Sequence, residues 1–192
     1  MKTASLSGSL RGSVGKKDAA TLRKEGRVPG VLYGGTEQVH FHVAKLDIER
    51  LVINPDVFRI ELDIDGTKYD TILQEIQFHP VTDYIVHIDA LLLDEQKPVR
   101  VELPVRTTGT SPGVMNGGRL ELQYRRVPVR GLPNNLPEVI SVDISGLEIG
   151  SNLRVRDLQV EGCEILLNDS TLIAAVKRTR AAMAAAAAAE EA

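Results

Sequence analysis

At 192 residues, 43% hydrophobic and 26% charged, the chain has the composition of an ordinary globular protein, with room for one domain or two small ones. With 4% aromatics and no Trp, the core falls to Val, Ile and Leu; no stretch is apolar enough to span a bilayer, and MKTASLSGSLRG lacks the apolar centre of a secretion signal. A lone cysteine, Cys163, excludes an internal disulfide and a cysteine zinc cluster, and the chain reads as cytoplasmic. The net charge of −3 hides an uneven distribution. Residues 1–30 carry seven Lys or Arg against Asp18 and Glu25, whereas residues 31–97 carry five against thirteen acidic groups. Positive charge gathered at one end points to a local site for an anionic partner.

Residues 4–11 are predicted as a strand, followed by the basic loop GSVGKK. Asp18 is placed as the N-cap of a short helix, AATLRKE, with Gly26 as its C-cap. Pro29-Gly30 is read as a break before VLY, which ends on Gly34-Gly35. In VHFHV, Val39, Phe41 and Val43 share one face and His40 and His42 the other. KLDIERLVI reads as a second helix, stopped by Asn54-Pro55. RIELDID alternates with Ile60, Leu62 and Ile64 inward, and Asp65-Gly66 signals a hairpin turn before KYDTILQEIQF. YIVHIDALLL completes five or six strands with two short helices, a small mixed barrel or sheet. After DEQKP the pattern changes to short alternating runs bounded by Gly, Pro or Asn, which predicts an all-β domain joined by hairpins. The divisions are residues 1–94, 95–180 and an Ala-rich tail, 181–192, which has no apolar face to dock and is expected to fray.

The chemical candidates are few. Gly34-Gly35 follows a strand, but no helix opening on Lys-Ser or Lys-Thr follows, so a phosphate loop is ruled out. NGG at 116–118 serves turn geometry in a β-rich loop. His40 and His42 share a strand face without a clear third ligand, so no metal is expected there. His79, before Pro80, is assigned to shaping a bend. His87 and Asp89 lie two apart and so on one face of VHIDA, with Val86 and Ile88 on the other. A His-Asp pair without a nucleophile is a weak enzyme signal.

Taken together, R-x3-GKK-x4-LRKEGRVPGVLYGG, LQEIQFHP and VHIDALLL resemble the L-twenty-five family of bacterial ribosomal proteins, in its long, two-domain CTC (general stress protein) type. The resemblance covers residues 4–180, and its most specific parts are G-x-VP-x-VLYGG and HP-x6-HIDA. It implies a mainly β protein, with a small N-terminal β-barrel carrying short helices and a C-terminal all-β domain. The implied role is structural: a non-enzymatic constituent of the large ribosomal subunit in the cytoplasm, binding the loop E region of 5S rRNA through the barrel, without cofactor or metal. Neighbouring ribosomal proteins are left as partners open to the C-terminal domain.

The resemblance carries Arg11, Lys16, Arg23, Tyr33, Gln74, His87 and Asp89 over as RNA contacts, and Lys17 joins them through the GKK loop. In this reading the cations meet phosphates, the Pro-Gly break turns Tyr33 onto the RNA face, and Gly34-Gly35 let the backbone pass close by. The chain departs from its relatives at Ala20 and Thr21, where arginines are common, and at Phe78, where a basic residue is common. Lys17 and Asp18 likewise replace smaller residues. Two other readings stay open on the residues alone: a protein-binding module whose acidic residues 31–97 face a basic partner, and an enzyme using His87 and Asp89.

Overall fold

The computed structural model describes residues 2–158, 160 and 162–180, and the expectation for the Ala-rich tail lies outside them. The described residues divide into two compact units, one covering the chain up to Val99 together with Leu132–Asn134, and the other Arg100–Gly131 and the residues from Asn135 on. Both are built mainly from strands.

The first unit is a closed six-stranded barrel. In chain order it contains β1 (Lys2–Leu10), α1 (Lys16–Lys24), β2 (Arg27–Tyr33), β3 (Val39–Ala44), α2 (Lys45–Ile53), β4 (Phe58–Ile64), β5 (Thr67–Phe78) and β6 (Ile85–Leu92). Around the wall the order is β1-β3-β2-β6-β5-β4, with β4 closing on β1. The joints β1·β4 and β2·β6 are parallel and the others antiparallel. Closure leaves no exposed edge for another chain to extend. Period-2 alternation sends Leu6, Val28, Leu32, Phe41, Val43, Ile60, Leu62, Ile64, Ile88 and Ala90 inward, and Ile48 of α2 completes the core. Each large apolar side chain buried this way contributes about 1.5–3 kcal/mol. The expected hairpin turn between β4 and β5 is present, with positive φ at Asp65 (48°) and Gly66 (89°).

Two local expectations change. Pro29-Gly30 does not break the chain; both residues lie inside β2. The Lys45 N–H bond to the Gly26 carbonyl (3.0 Å) sets the alternation, so the backbone groups of residues 27, 29 and 31 point away from β3. On that side β6 joins only from Gly30, so the missing N–H of Pro29 leaves no ladder bond unmade. Gly30 is needed for closeness: a Cβ there would lie 2.6 Å from Ile88 Cγ1 and 2.8 Å from Phe41 Cζ. Helix α1 begins at Lys16 with Gly15 at its N-cap, so Asp18 sits in the first turn rather than capping it.

The second unit contains β7 (Val99–Thr108), α3 (Pro112–Met115), β8 (Arg119–Leu122), β9 (Arg126–Gly131), β10 (Ile140–Asp143), β11 (Asn152–Arg154), β12 (Cys163–Ile165) and β13 (Leu172–Lys177). They form a four-stranded sheet, β10-β7-β9-β12, and a three-stranded sheet, β11-β13-β8. Among the described residues the expected hairpins are not found: no two consecutive strands of this unit pair, and β10 runs parallel to β7. Alternation shows which residues face inward but not which strand lies alongside, so chain order alone could not give this arrangement. NGG is turn geometry as expected, with Asn116 capping α3 and Gly117 at φ 86°.

Candidate nucleic-acid interface

The outward residues of five adjacent strands form one continuous face on the first unit. The strand registers align a row across it: the Arg11 N–H donates to the His40 carbonyl (3.0 Å), His40 pairs with Val31, Val31 with Asp89, and Asp89 with Glu75. A neighbouring row runs through Ser9, His42 and Pro29 on β1, β3 and β2, and His87 lies opposite Gln77 on β6 and β5. Tyr33 lies two residues beyond Val31 and so on the same face.

A bulge in β5 puts Glu75 on this face. Leu73 pairs with Ala90 and Glu75 with Asp89, so Gln74 is the extra residue. Before the bulge Tyr69, Thr71 and Leu73 turn toward the core; after it Ile76 does, opposite buried Ile88. An unbroken alternation would put Glu75 inside and Ile76 in water. Gln74 itself is exposed at the kink.

The acidic centre of the face is tightly connected. His87 Nδ1 lies 3.0 Å from Asp89 Oδ1, both side chains about a quarter exposed. Tyr33 sits close enough to feel them: burial first, then the charges of Asp89 and Glu75, push its hydroxyl pKa up. The phenol therefore stays protonated, a donor as well as an acceptor. Gly34, beside β6, is required by its positive φ of 98°, which a side chain would strain.

The cations stand at one side. Buried Leu22 seats α1 on the barrel, and Arg23 Nε donates to the Val86 carbonyl (3.0 Å), one residue before His87. Lys16 and Lys17 are exposed on the first turn of α1. Arg11 is set apart from them: its side chain is 5% exposed and its guanidinium is bonded to Asp18.

His40 and His42 have separate surroundings. Arg27 donates to His42 Nδ1 (2.7 Å), and burial followed by the Arg27 charge lowers the His42 pKa. His40 Nδ1 is buried without a partner. Among the described residues no cluster of three or more His, Cys, Asp or Glu side chains is arranged to hold a metal ion. His79 shapes its bend by accepting, at Nδ1, from the N–H groups of Val81 and Thr82 (both 3.3 Å).

The structure thus brings Tyr33, Gln74, His87 and Asp89 to one face and sets Arg23, Lys16 and Lys17 along its side. Glu75 and Arg27 belong to the same surface and were not singled out from the sequence. Only strand register, including the bulge, reveals them. Chemically the face offers carboxylate and imidazole acceptors, a phenolic donor and a cationic margin.

Comparison with known proteins bears on what this surface serves. Residues 6–89 match the Ribosomal L25p family and residues 98–180 match the ribosomal protein TL5 C-terminal domain. Over 188 residues the chain is 44% identical to the large ribosomal subunit protein bL25 of Porphyromonas gingivalis, covering 97% of this chain and 98% of that one. The bL25 proteins of Amoebophilus asiaticus (42% over 190 residues, 99% and 97% covered) and Bacteroides thetaiotaomicron (46% over 168 residues, 88% and 86% covered) are similar too.

Proposed function

Because the chain belongs to the Ribosomal L25p family, in the form that carries a TL5-type C-terminal domain, we propose that its barrel binds the loop E region of 5S rRNA. The protein is a structural constituent of the large ribosomal subunit, acting in translation on the ribosome in the cytoplasm, and not an enzyme. The observation that carries the finer reading is the single outer face on which Tyr33, Gln74, His87 and Asp89 meet beside the α1 cations.

A-form RNA hides its major groove and presents a wide, shallow minor groove of 2′-hydroxyls and base edges. A rigid barrel wall suits that surface. Lys16, Lys17 and Arg23 meet phosphates and hold the protein in orientation, without reading sequence. Asp89 accepts from a guanine amino group or a ribose hydroxyl, and Tyr33 packs on sugar while its hydroxyl bonds ribose or phosphate. His87, whose Nδ1 lies 3.0 Å from Asp89 Oδ1, orients that carboxylate. The exposed Gln74 supplies an amide at the bulge.

The division of labour assigns this binding to residues 1–94, and leaves neighbouring ribosomal proteins to residues 95–180. In gel-shift and calorimetric titrations the fragment 1–94 should bind 5S rRNA about as well as the full chain. Binding by the full chain with none by the fragment would refute the division. No binding by either would refute the 5S rRNA reading.

A further inference from the structure

The Arg11 guanidinium lies at the foot of the cationic loop. Its backbone N–H is bonded to the His40 carbonyl at the end of β1, so its Cα is held on the barrel wall. Its Nε and one terminal nitrogen both donate to Asp18 Oδ2, at 3.0 and 2.6 Å. With 5% of its side chain exposed and two N–H groups given to a carboxylate, Arg11 has little left to offer a phosphate.

What the pair does is close a loop. Gly12, Ser13, Val14 and Gly15 are all exposed, Val14 by 64%, and a Cβ added at Gly12 or Gly15 would touch nothing within 4 Å. No packing shapes this segment, so its conformation is set by its two ends. One end is Arg11. The other is the first turn of α1, whose N-cap, Gly15, supplies no side-chain hydrogen bond. The Asp18 carboxylate serves that turn twice, by complementing the helix dipole and by tying it to Arg11. The far end of α1 is held independently by buried Leu22 and by the Arg23 bond to Val86.

We propose that Asp18 is a positioning residue for RNA binding: by clamping Arg11 across the loop, it orders residues 12–15 and presents Lys16 and Lys17 to the phosphate backbone. The proposal rests on the 5S rRNA reading above. It makes a negative charge inside the most basic part of the chain favourable to a polyanion, against the sign that charge alone would give.

That sign makes the test decisive. Through charge alone, Asp18→Ala would raise the positive balance of residues 1–30, tighten binding and steepen its salt dependence. Alanine is also the better helix former, which offsets the lost complement to the helix dipole within α1. The clamp requires the reverse: in salt titrations of the full chain on 5S rRNA, Asp18→Ala should bind about three- to tenfold more weakly, and Asp18→Glu should recover most of the loss, since charge-assisted hydrogen bonds to arginine are the strong kind. In the free protein, the backbone 15N order parameters of residues 12–15 should fall from the range of an ordered backbone toward that of a flexible one in Asp18→Ala, and stay unchanged at Val86 and Ile88. Binding by Asp18→Ala as tight as the parent's or tighter, with a steeper salt slope, overturns the clamp and leaves the 5S rRNA reading intact. If the parent itself does not bind 5S rRNA, that reading falls, and the clamp stands or falls on loop order: equal order parameters at residues 12–15 in the parent and Asp18→Ala overturn it.

Discussion

The outer face of β2, β6 and β5 and the β1–α1 corner are built on opposite plans. On the face, Asp89 is held by His87 and paired in register with Glu75 and Val31, directly over Ile88, which has no exposed surface. Its geometry comes from the barrel and its charges are acidic. At the corner, Lys16 and Lys17 ride on a helix joined to β1 by an unpacked glycine loop, and their charge is basic. A carboxylate near phosphates costs affinity unless it accepts a specific hydrogen bond, whereas an exposed lysine attracts any phosphate. On the proposed RNA reading the contrast separates selection from attraction in space: the rigid wall would choose and the α1 corner would attract.

The largest break in that comparison removes the support beneath the selective face. Ile88→Ala leaves a cavity between β2, β5 and β6 and should cost about 2–5 kcal/mol of stability by denaturant unfolding. Discrimination between RNAs should suffer before overall attraction does.

The next effect lies at the corner. Lys16→Ala should weaken binding to 5S rRNA and to an unrelated duplex alike, and flatten the salt slope by roughly 0.7 to 0.9. A loss confined to 5S rRNA would move Lys16 into the selective group. Ala20→Arg sharpens the same side: Ala20 is exposed on α1, and one added phosphate contact should steepen the slope by about the same amount. An unchanged slope would show that this side of α1 faces away from RNA.

The smallest effect belongs to His42, between the two regions. Its folded pKa lies below the ordinary value, so as pH falls the unfolded chain takes up the proton first. The stability contributed by neutral His42 is therefore complete above about pH 6.5 and is lost as pH drops below that value. Between about pH 6.5 and 5 the unfolding midpoint of the parent should fall more steeply than that of His42→Gln.

Much of the barrel was legible in the sequence because its signals are local. Alternation gave the inward faces of β3 and β4, Asp65-Gly66 gave the turn after β4, and VHIDA put His87 and Asp89 on one side. What was not legible depends on neighbours far along the chain. Pro29-Gly30 looks like a break until Ile88 and Phe41 are seen pressing on Gly30. Glu75 looks like a core-facing position until the bulge at Gln74 shifts the alternation. Arg11 reads as a phosphate contact until Asp18 is found holding it, and the strand pairing of the second unit has no local signal at all.

The central claim is that Asp89 reads RNA from a rigid wall, and paired salt titrations of the parent and Asp89→Ala test it most directly. Each protein is titrated on 5S rRNA and on an unrelated RNA duplex. The account requires Asp89→Ala to lose about 1 to 3 kcal/mol on 5S rRNA, with little change in salt slope, so that its preference for 5S rRNA collapses. If Asp89→Ala binds both RNAs as well as the parent or better, Asp89 is only a residue of the barrel wall and the account is wrong.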